Sequence, residues 1–137
     1  MEVNAVILLA MSSPQTILVV EDDPDLRRLY RAALTFAGFD VQIVGDGLDA
    51  LRRIDTDPPV LVVLDLSLPV ISGVVVQQQI ASSALTRDIP IVVVTGNPEK
   101  ADGLSVACVL AKPISPERLI RTVKSCLAAG ASGPAPL

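Results

Sequence analysis

Short runs of β-branched residues alternate along the chain with segments in which apolar residues recur every three or four positions. This alternation is typical of strand–helix–strand units built around a mostly parallel sheet. Three of the runs contain no polar alternation, which indicates strands that helices cover on both faces. Another run alternates apolar and polar residues and therefore suits an edge. We predict five strands, at residues 17–20, 41–44, 60–64, 91–94 and 106–110.

Capping residues and apolar spacing predict four helices. The first begins at Pro24 and stops at Gly38, because proline favours the first helical position and glycine a helix end. The last begins after a cap at Ser115 and stops at Gly130. The other two are expected at about residues 47–54 and 72–85. The predicted buried sides are Leu26, Leu29, Tyr30, Ala33, Leu34 and Ala37 in the first helix, and Val76, Ile80 and Ala84 in the third.

The stretch between the last two strands is short. Only residues 97–105 are available there, and Pro98 and Gly103 both disfavour a helix, so we expect one helical turn at most.

These elements predict one α/β domain over residues 15–129. Residues 1–14 contain an apolar stretch too short to span a bilayer, and we expect a leader outside the domain, with the natural start left open between Met1 and Met11. Residues 130–137 are small and aperiodic, so we expect a disordered tail.

Composition narrows the function classes. Half of the 137 residues are hydrophobic and 19% are charged, which indicates a compact globular protein. A net charge of −4 without a cluster of basic residues argues against direct nucleic-acid binding and against binding to a membrane surface. The chain has no histidine, so any phosphohistidine must belong to a partner. Cys108 and Cys126 are expected to be small core residues, which fits a reduced cytoplasmic setting.

Polar residues follow the buried strands at the points where the apolar runs end. Glu21 and Asp22 follow the first strand, Asp65 the third, Thr95 the fourth and Lys112 the fifth. The carboxyl ends of parallel strands lie at one edge of the sheet, where ligands bind in open α/β folds. We therefore expect these side chains to converge on one shallow pocket.

Carboxylates that lie a few ångströms apart repel one another and require a cation. Oxygen ligands with room for water suit Mg²⁺, and Glu21, Asp22, Asp65 and the backbone carbonyl of Ser67 are the candidate ligands. A carboxylate can attack phosphorus when a metal and an ammonium neutralise the phosphoryl oxygens. Asp65 is the candidate nucleophile, with Lys112 paired to one phosphoryl oxygen and Thr95 donating a hydrogen bond to another.

Each of these residues also has an ordinary structural interpretation. The acidic residues before Pro24 suit a helix N-terminus, Thr95 is a common type of strand end, and Lys112 could be an exposed loop lysine. Asp65 is harder to explain in this way, because it lies between apolar residues. The occurrence of one such residue at each strand end favours a site over coincidence.

Residues 15–129 resemble the receiver domain of two-component response regulators. The resemblance is carried by the runs ILVVEDDP after the leader, DLSLPVISG around Asp65, PIVVVTG around Thr95 and the pair Lys112-Pro113, whose peptide bond is characteristically cis in the family. It implies a flavodoxin-like three-layer sandwich with a parallel sheet of order 2-1-3-4-5. It also implies a phosphoryl group transferred to Asp65 from a sensor histidine kinase or a histidine phosphotransfer protein, with Mg²⁺ as cofactor and no enzymatic activity beyond the domain's own phosphorylation and dephosphorylation.

The chain departs from the receiver pattern in two places. Val109 occupies the position, three residues before the lysine, where receivers usually carry an aromatic residue that moves inward with the threonine. Lys112 follows Thr95 by only 17 residues, and the missing residues fall on the helix that usually forms part of the output and dimerisation face. The output partner and a homodimer both stay open.

Three functions therefore compete. The first is a stand-alone receiver, expected because the chain ends soon after Lys112. The second is a receiver-like interaction module that does not depend on phosphorylation, which Val109 and the short segment before it favour. The third is a phosphatase like the haloacid dehalogenases, which need a second aspartate where this chain has Ser67.

Overall fold

The computed structural model describes residues 15–132, with side-chain surroundings for residues 15–130. The expectations for residues 1–14 and for residues 133–137 of the tail lie outside the described residues. The strands are β1 (Thr16–Val20), β2 (Asp40–Val44), β3 (Leu61–Leu64), β4 (Ile91–Thr95) and β5 (Cys108–Ala111). The helices are α1 (Pro24–Phe36), α2 (Gly47–Thr56), α3 (Gly73–Ser82) and α4 (Pro116–Ser132), with a 3-10 turn at Pro98–Ala101.

The five strands form one parallel sheet of order β2-β1-β3-β4-β5, as predicted. The alternating strand β2 lies at an edge, and β1, β3 and β4 are buried almost throughout. Strands without polar residues are covered on both faces because neither face can be left to water. The sheet therefore lies between two layers of helices.

Successive residues of each strand contribute to two separate cores. On one face, Leu18, Leu64 and Val93 pack with residues of α2 and α3. On the other, Val19 and Val63 pack with residues of α1 and α4. Side chains alternate between the two faces along a strand, so a short run of valines and leucines supplies both layers. The members from the helices are Ala50, Ile54, Val76 and Ile80 in the first core, and Tyr30, Leu34, Leu119 and Val123 in the second.

The expected end of the third helix is wrong. Helix α3 ends at Ser82, Ala84 is exposed, and Leu85 is 89% exposed in the turn that follows. Hydroxyl groups explain the early end: Ser83 Oγ accepts from Leu85 N, and Thr86 Oγ1 donates to the carbonyl of Ile80. Such side chains offer the backbone an alternative to helical hydrogen bonds.

The predicted end of the last helix at Gly130 is also wrong, because α4 continues to Ser132. Alanines flank Gly130 and favour the helix strongly enough to offset its cost of about 1 kcal/mol. The fifth strand begins later than expected, at Cys108, because its pairing with β4 starts there. Val106, at the expected start, still packs against the core.

Two burial expectations need correction. Leu29, placed on the buried side of α1, is 40% exposed, because the apolar stripe is wider than the contact between α1 and the sheet. Cys108, in β5, and Cys126, in α4, are free and only half-buried, at the margin of the core that α1 and α4 form with the sheet. Burial raises the pKa of the Cys126 thiol above its ordinary value.

The short segment after β4 holds one 3-10 turn of four residues, as predicted.

Candidate functional site

The parallel register brings the predicted residues to one edge of the sheet. Val20 and Leu64 are paired across β1 and β3, so the residues that follow them, Glu21 and Asp65, leave the sheet side by side. Thr95 ends β4 and is paired with Ala111, which immediately precedes Lys112.

Three carboxylates gather there. Glu21, Asp22 and Asp65 each offer an oxygen, and these oxygens all lie within 4.8 Å of one another. Glu21 and Asp65 are only 2% and 6% exposed, whereas Asp22 is exposed to solvent. Like charges this close repel one another unless a cation lies among them.

Lys112 supplies one cation from the structure itself. Its Nζ donates to Glu21 Oε1 at 2.7 Å and to Asp65 Oδ2 at 3.1 Å. Burial by itself lowers the pKa of the Lys112 amine, but the hydrogen bond with Glu21 and the charges of Glu21 and Asp65 outweigh it, so the net pKa is raised. Burial raises the pKa of the Glu21 carboxyl, although the hydrogen bond from Lys112 acts in the opposite direction. The Lys112-Pro113 peptide bond is cis, as the resemblance implied.

The acidic residues before α1 divide between two tasks. Asp23 is the helix cap, since its Oδ1 accepts from Asp25 N at 2.8 Å and from Leu26 N at 3.3 Å. The amide of Asp23 donates to Glu21 Oε2 at 3.2 Å, which turns Glu21 towards the site. The helix-cap interpretation thus holds for Asp23, while Glu21 and Asp22 belong to the carboxylate cluster.

The loop after β3 fixes the position of Asp65. The amide of Ser67 donates to Asp65 Oδ1 at 3.1 Å, and Gly73 N donates to the carbonyl of Leu66 at 2.9 Å. A side chain at position 73 would have its Cβ 2.1 Å from the carbonyl oxygen of Asp65, so only glycine allows this approach.

Thr95 is fully buried, and its hydrogen-bond partner is a backbone amide and not one of the carboxylates. Its Oγ1 accepts from the amide of Asn97 at 3.1 Å. Within residues 15–130, Thr95 makes no hydrogen bond to Glu21, Asp22 or Asp65. The hydroxyl can accept from Asn97 and still donate its own proton to a group placed beside Asp65.

An apolar groove of about 320 Å³ borders the site. Burial raises the pKa of the Tyr30 phenol, which lies in its wall. The exposed Leu29 is part of the same groove. The lining residues are Leu26, Leu29, Tyr30, Lys112, Pro113 and Ile114.

The geometry agrees with comparisons to known proteins. The family model of the response regulator receiver domain matches residues 17–124. The chain belongs to the response regulator receiver family. It is 36% identical over 119 residues to the response regulator MprA of Mycolicibacterium vanbaalenii, an alignment that covers 83% of this chain and 51% of MprA. The chain thus spans about half the length of the curated relatives that it matches.

Solved structures of similar proteins have the same fold. A sensor protein from Polaromonas sp. JS666 is 32% identical, with a TM-score of 0.77 over 83% of this chain and 96% of that one. The receiver domain of the sensor histidine kinase PA1611 from Pseudomonas aeruginosa PAO1 is 28% identical, with a TM-score of 0.79 over 85% of this chain and all of that domain. That domain has a magnesium ion coordinated in its active-site cleft.

Receiver domains as a family share general properties of partner binding, phosphorylation and metal binding. Receiver domains interact with histidine kinases or phosphotransfer proteins, and phosphorylation and Mg²⁺ binding are typical of them. They are not enzymes in the usual sense. None of the helices within residues 15–132 combines the length and the apolar character needed to cross a bilayer.

The sequence did not reveal one contact of this receiver. Lys100, in the 3-10 turn after β4, donates from Nζ to Ser67 Oγ at 3.2 Å. Nothing in its spacing distinguishes it from any exposed loop lysine. Ser67 itself is exposed, two residues after Asp65.

Val109, at the position where receivers usually carry an aromatic residue, is 38% exposed on the edge strand β5.

Proposed function

We propose that this receiver accepts a phosphoryl group on Asp65 from the phosphohistidine of a sensor histidine kinase or a histidine phosphotransfer protein in the cytoplasm. It then signals by contact with an output protein or by passing the phosphoryl group on. The observation that carries the proposal is the convergence at Asp65, where a buried carboxylate accepts from the Lys112 amine and lies beside two further carboxylates.

The transfer replaces one bond to phosphorus by another. One carboxylate oxygen of Asp65 forms a P–O bond while the P–N bond to the partner's imidazole breaks, and the imidazole nitrogen keeps the electron pair of that bond. Lys112 turns its ammonium to a phosphoryl oxygen, which its partial exposure permits. The hydroxyl of Thr95 donates to another phosphoryl oxygen.

The residues of the cluster fit a magnesium ion. Glu21, Asp22, Asp65 and the backbone carbonyl of Ser67 would hold it, all through oxygen, which is the ligand type that Mg²⁺ prefers. The exposure of Asp22 leaves room for the waters that Mg²⁺ retains. When bound, Mg²⁺ neutralises negative charge on the phosphoryl oxygens.

The partner has a surface to use beside the site. The apolar groove between α1 and Lys112-Pro113 gives a docking protein apolar area within reach of Asp65. Leu29 contributes its exposed side chain to that groove.

Phosphoryl uptake tests the proposal directly. The protein is incubated with Mg²⁺ and acetyl phosphate, and the intact mass is measured. We expect a gain of one phosphoryl group that chelation of the metal prevents. Asp65→Asn should abolish the gain completely and leave the stability unchanged or slightly higher, because it relieves repulsion within the cluster. Asp88→Asn is the matched control, since Asp88 is exposed at the opposite end of the sheet.

Two outcomes would contradict the proposal. A phosphoryl group that still attaches to Asp65→Asn places the acceptor elsewhere. No uptake by the native protein, repeated with a candidate histidine kinase, would instead favour a receiver-shaped interaction module that works without phosphorylation. The exposed Val109 and the four-residue turn before β5 are the features that favour this second function.

A further inference from the structure

A lysine outside the expected site joins the two segments that leave the sheet beside Asp65. Lys100 Nζ donates to Ser67 Oγ at 3.2 Å, and the amide of the same serine donates to Asp65 Oδ1 at 3.1 Å. Ser67 alone therefore links the ammonium of Lys100 to Asp65, the candidate phosphoacceptor, by one hydrogen bond on each side. Both partners of the Lys100 contact are exposed, so the ammonium can exchange it for a stronger acceptor.

The turn that carries Lys100 is tied to the site and to the core. At its start, the amide of Asn97 donates to the buried Thr95 hydroxyl. At its end, Ala101 is 6% exposed within the core. Beyond it, Gln77 Nε2 from α3 donates to the carbonyl of Ser105 at 2.9 Å. A displacement of Lys100 would therefore move a turn that contacts the site at Asn97 and the core at Ala101.

The charge balance of the phosphorylated site favours a further cation beside Lys112 and the proposed Mg²⁺. Lys112 is already shared between Glu21 and Asp65. A phosphoryl group adds nearly two negative charges and three strong acceptor oxygens. A charge-assisted hydrogen bond to such an oxygen is stronger than one to a neutral serine hydroxyl.

We propose that Lys100 is a second ligand of the phosphoryl group on Asp65, an inference that rests on the function proposed above. On phosphorylation its ammonium leaves Ser67 Oγ, pairs with a phosphoryl oxygen and draws the Pro98–Ala101 turn towards the site. The turn then reports the phosphorylated state in a chain where Val109 occupies the position of the usual aromatic residue.

The affinity for beryllium fluoride, which mimics a phosphoryl group on a carboxylate, tests this assignment. Calorimetric titration in the presence of Mg²⁺ should show that Lys100→Met binds about two- to fivefold more weakly than the native protein. Lys100→Arg keeps the charge and should bind within about twofold of the native protein. Lys124→Met, on the exposed side of α4, is the matched control for the loss of one lysine. The difference should shrink at high salt, as expected for an exposed charge.

A variant of Ser67 separates direct from indirect action. Ser67→Ala removes the hydroxyl that competes for the ammonium, so binding should become tighter. Equal weakening in Ser67→Ala and Lys100→Met would show that Lys100 acts only through the serine, and would overturn the proposal. Hydrogen exchange adds a second readout: ligand binding should change the protection of the amides of Asp102 and Leu104 in the native protein and not in Lys100→Met.

The outcomes distinguish this inference from the proposed function. A native protein that binds no beryllium fluoride and gains no phosphoryl group would overturn both. A native protein that does both, with Lys100→Met indistinguishable from Lys124→Met, would overturn the role of Lys100 alone.

Discussion

Two segments leave the carboxyl edge of the sheet next to each other, residues 65–73 after β3 and residues 96–106 after β4, and the chain holds them by different means. The first begins with the buried Asp65 and Leu66 and closes on itself where Gly73 N donates to the carbonyl of Leu66. In the second, residues 96–100 are all exposed, and Ala101 is its only fully buried residue.

Their glycines show the same contrast. A Cβ at Gly73 would overlap the backbone of Asp65 and Leu66. A Cβ at Gly96 or Gly103 would meet nothing within 4 Å, although the positive φ of Gly103 still favours glycine there. The segment that carries Asp65, the candidate phosphoacceptor, is therefore closely packed, and the segment that carries Lys100 is open. The proposed phosphoryl transfer needs fixed geometry at Asp65, whereas a segment that is proposed to report on it needs room to move.

Paired glycine substitutions test this contrast most strongly. Gly73→Ala should lower the free energy of unfolding by about 3 kcal/mol, because the new methyl group meets backbone atoms that cannot turn aside. Gly96→Ala should change it by about 0.5 kcal/mol at most, since the methyl group enters open space. Urea denaturation of both variants measures the difference. Similar losses in the two variants would remove the distinction between the segments.

The two lysines of the site offer a second test of the contrast. Lys112→Met leaves the buried Glu21 and Asp65 without their ammonium, so in the presence of a chelator the free energy of unfolding should fall by about 2 kcal/mol. Excess Mg²⁺ should restore part of this loss by supplying another cation. Lys100→Met should cost less than about 0.5 kcal/mol, because its contact is exposed.

Thermal unfolding with and without Mg²⁺ measures both effects. A loss in Lys112→Met that Mg²⁺ does not reduce would show that the three carboxylates do not form a cation site. A large loss in Lys100→Met would show that the open segment contributes to the stability of the domain.

The packed half of the site follows from the sequence more directly than the open half. Apolar runs without polar residues define β1, β3 and β4, and parallel pairing then requires Glu21 and Asp65 to meet at one edge. The residue types at the strand ends were therefore enough to predict that the carboxylates, the lysine and the threonine lie at one edge of the sheet. Its roles in phosphoryl transfer stay predictions until uptake is measured.

The remaining features depend on contacts that leave no periodic signal. Lys100 reaches Ser67 through a long side chain, across a distance that only the tertiary structure fixes. Helix α3 ends early because the hydroxyl of Thr86 reaches back to Ile80, which apolar spacing does not reveal. Leu29 continues the apolar stripe of α1 but faces the groove beside Lys112. Side-chain hydrogen bonds and partner-facing apolar residues are the features that patterns predict least well.

The smallest expected effect concerns strain within the packed segment. Val70 has a φ of 69° and is 75% exposed, so this β-branched residue adopts a left-handed conformation and buries little. That conformation costs an L-residue about 1–2 kcal/mol, whereas glycine adopts it freely but loses about 0.5–1 kcal/mol through greater freedom in the unfolded chain. Val70→Gly should therefore raise the free energy of unfolding by about 0.5–1 kcal/mol.

A second valine provides the matched control. Val75 lies in α3 and is 40% exposed, and Val75→Gly should lower the free energy of unfolding by about 1 kcal/mol, because glycine weakens a helix. Opposite signs for the two substitutions in urea denaturation would show that the loop after Asp65 tolerates strain in order to hold its shape. A loss in Val70→Gly as large as that in Val75→Gly would mean that position 70 bears no strain. The contrast between the two segments would then rest on the close packing around Gly73 and not on strain at Val70.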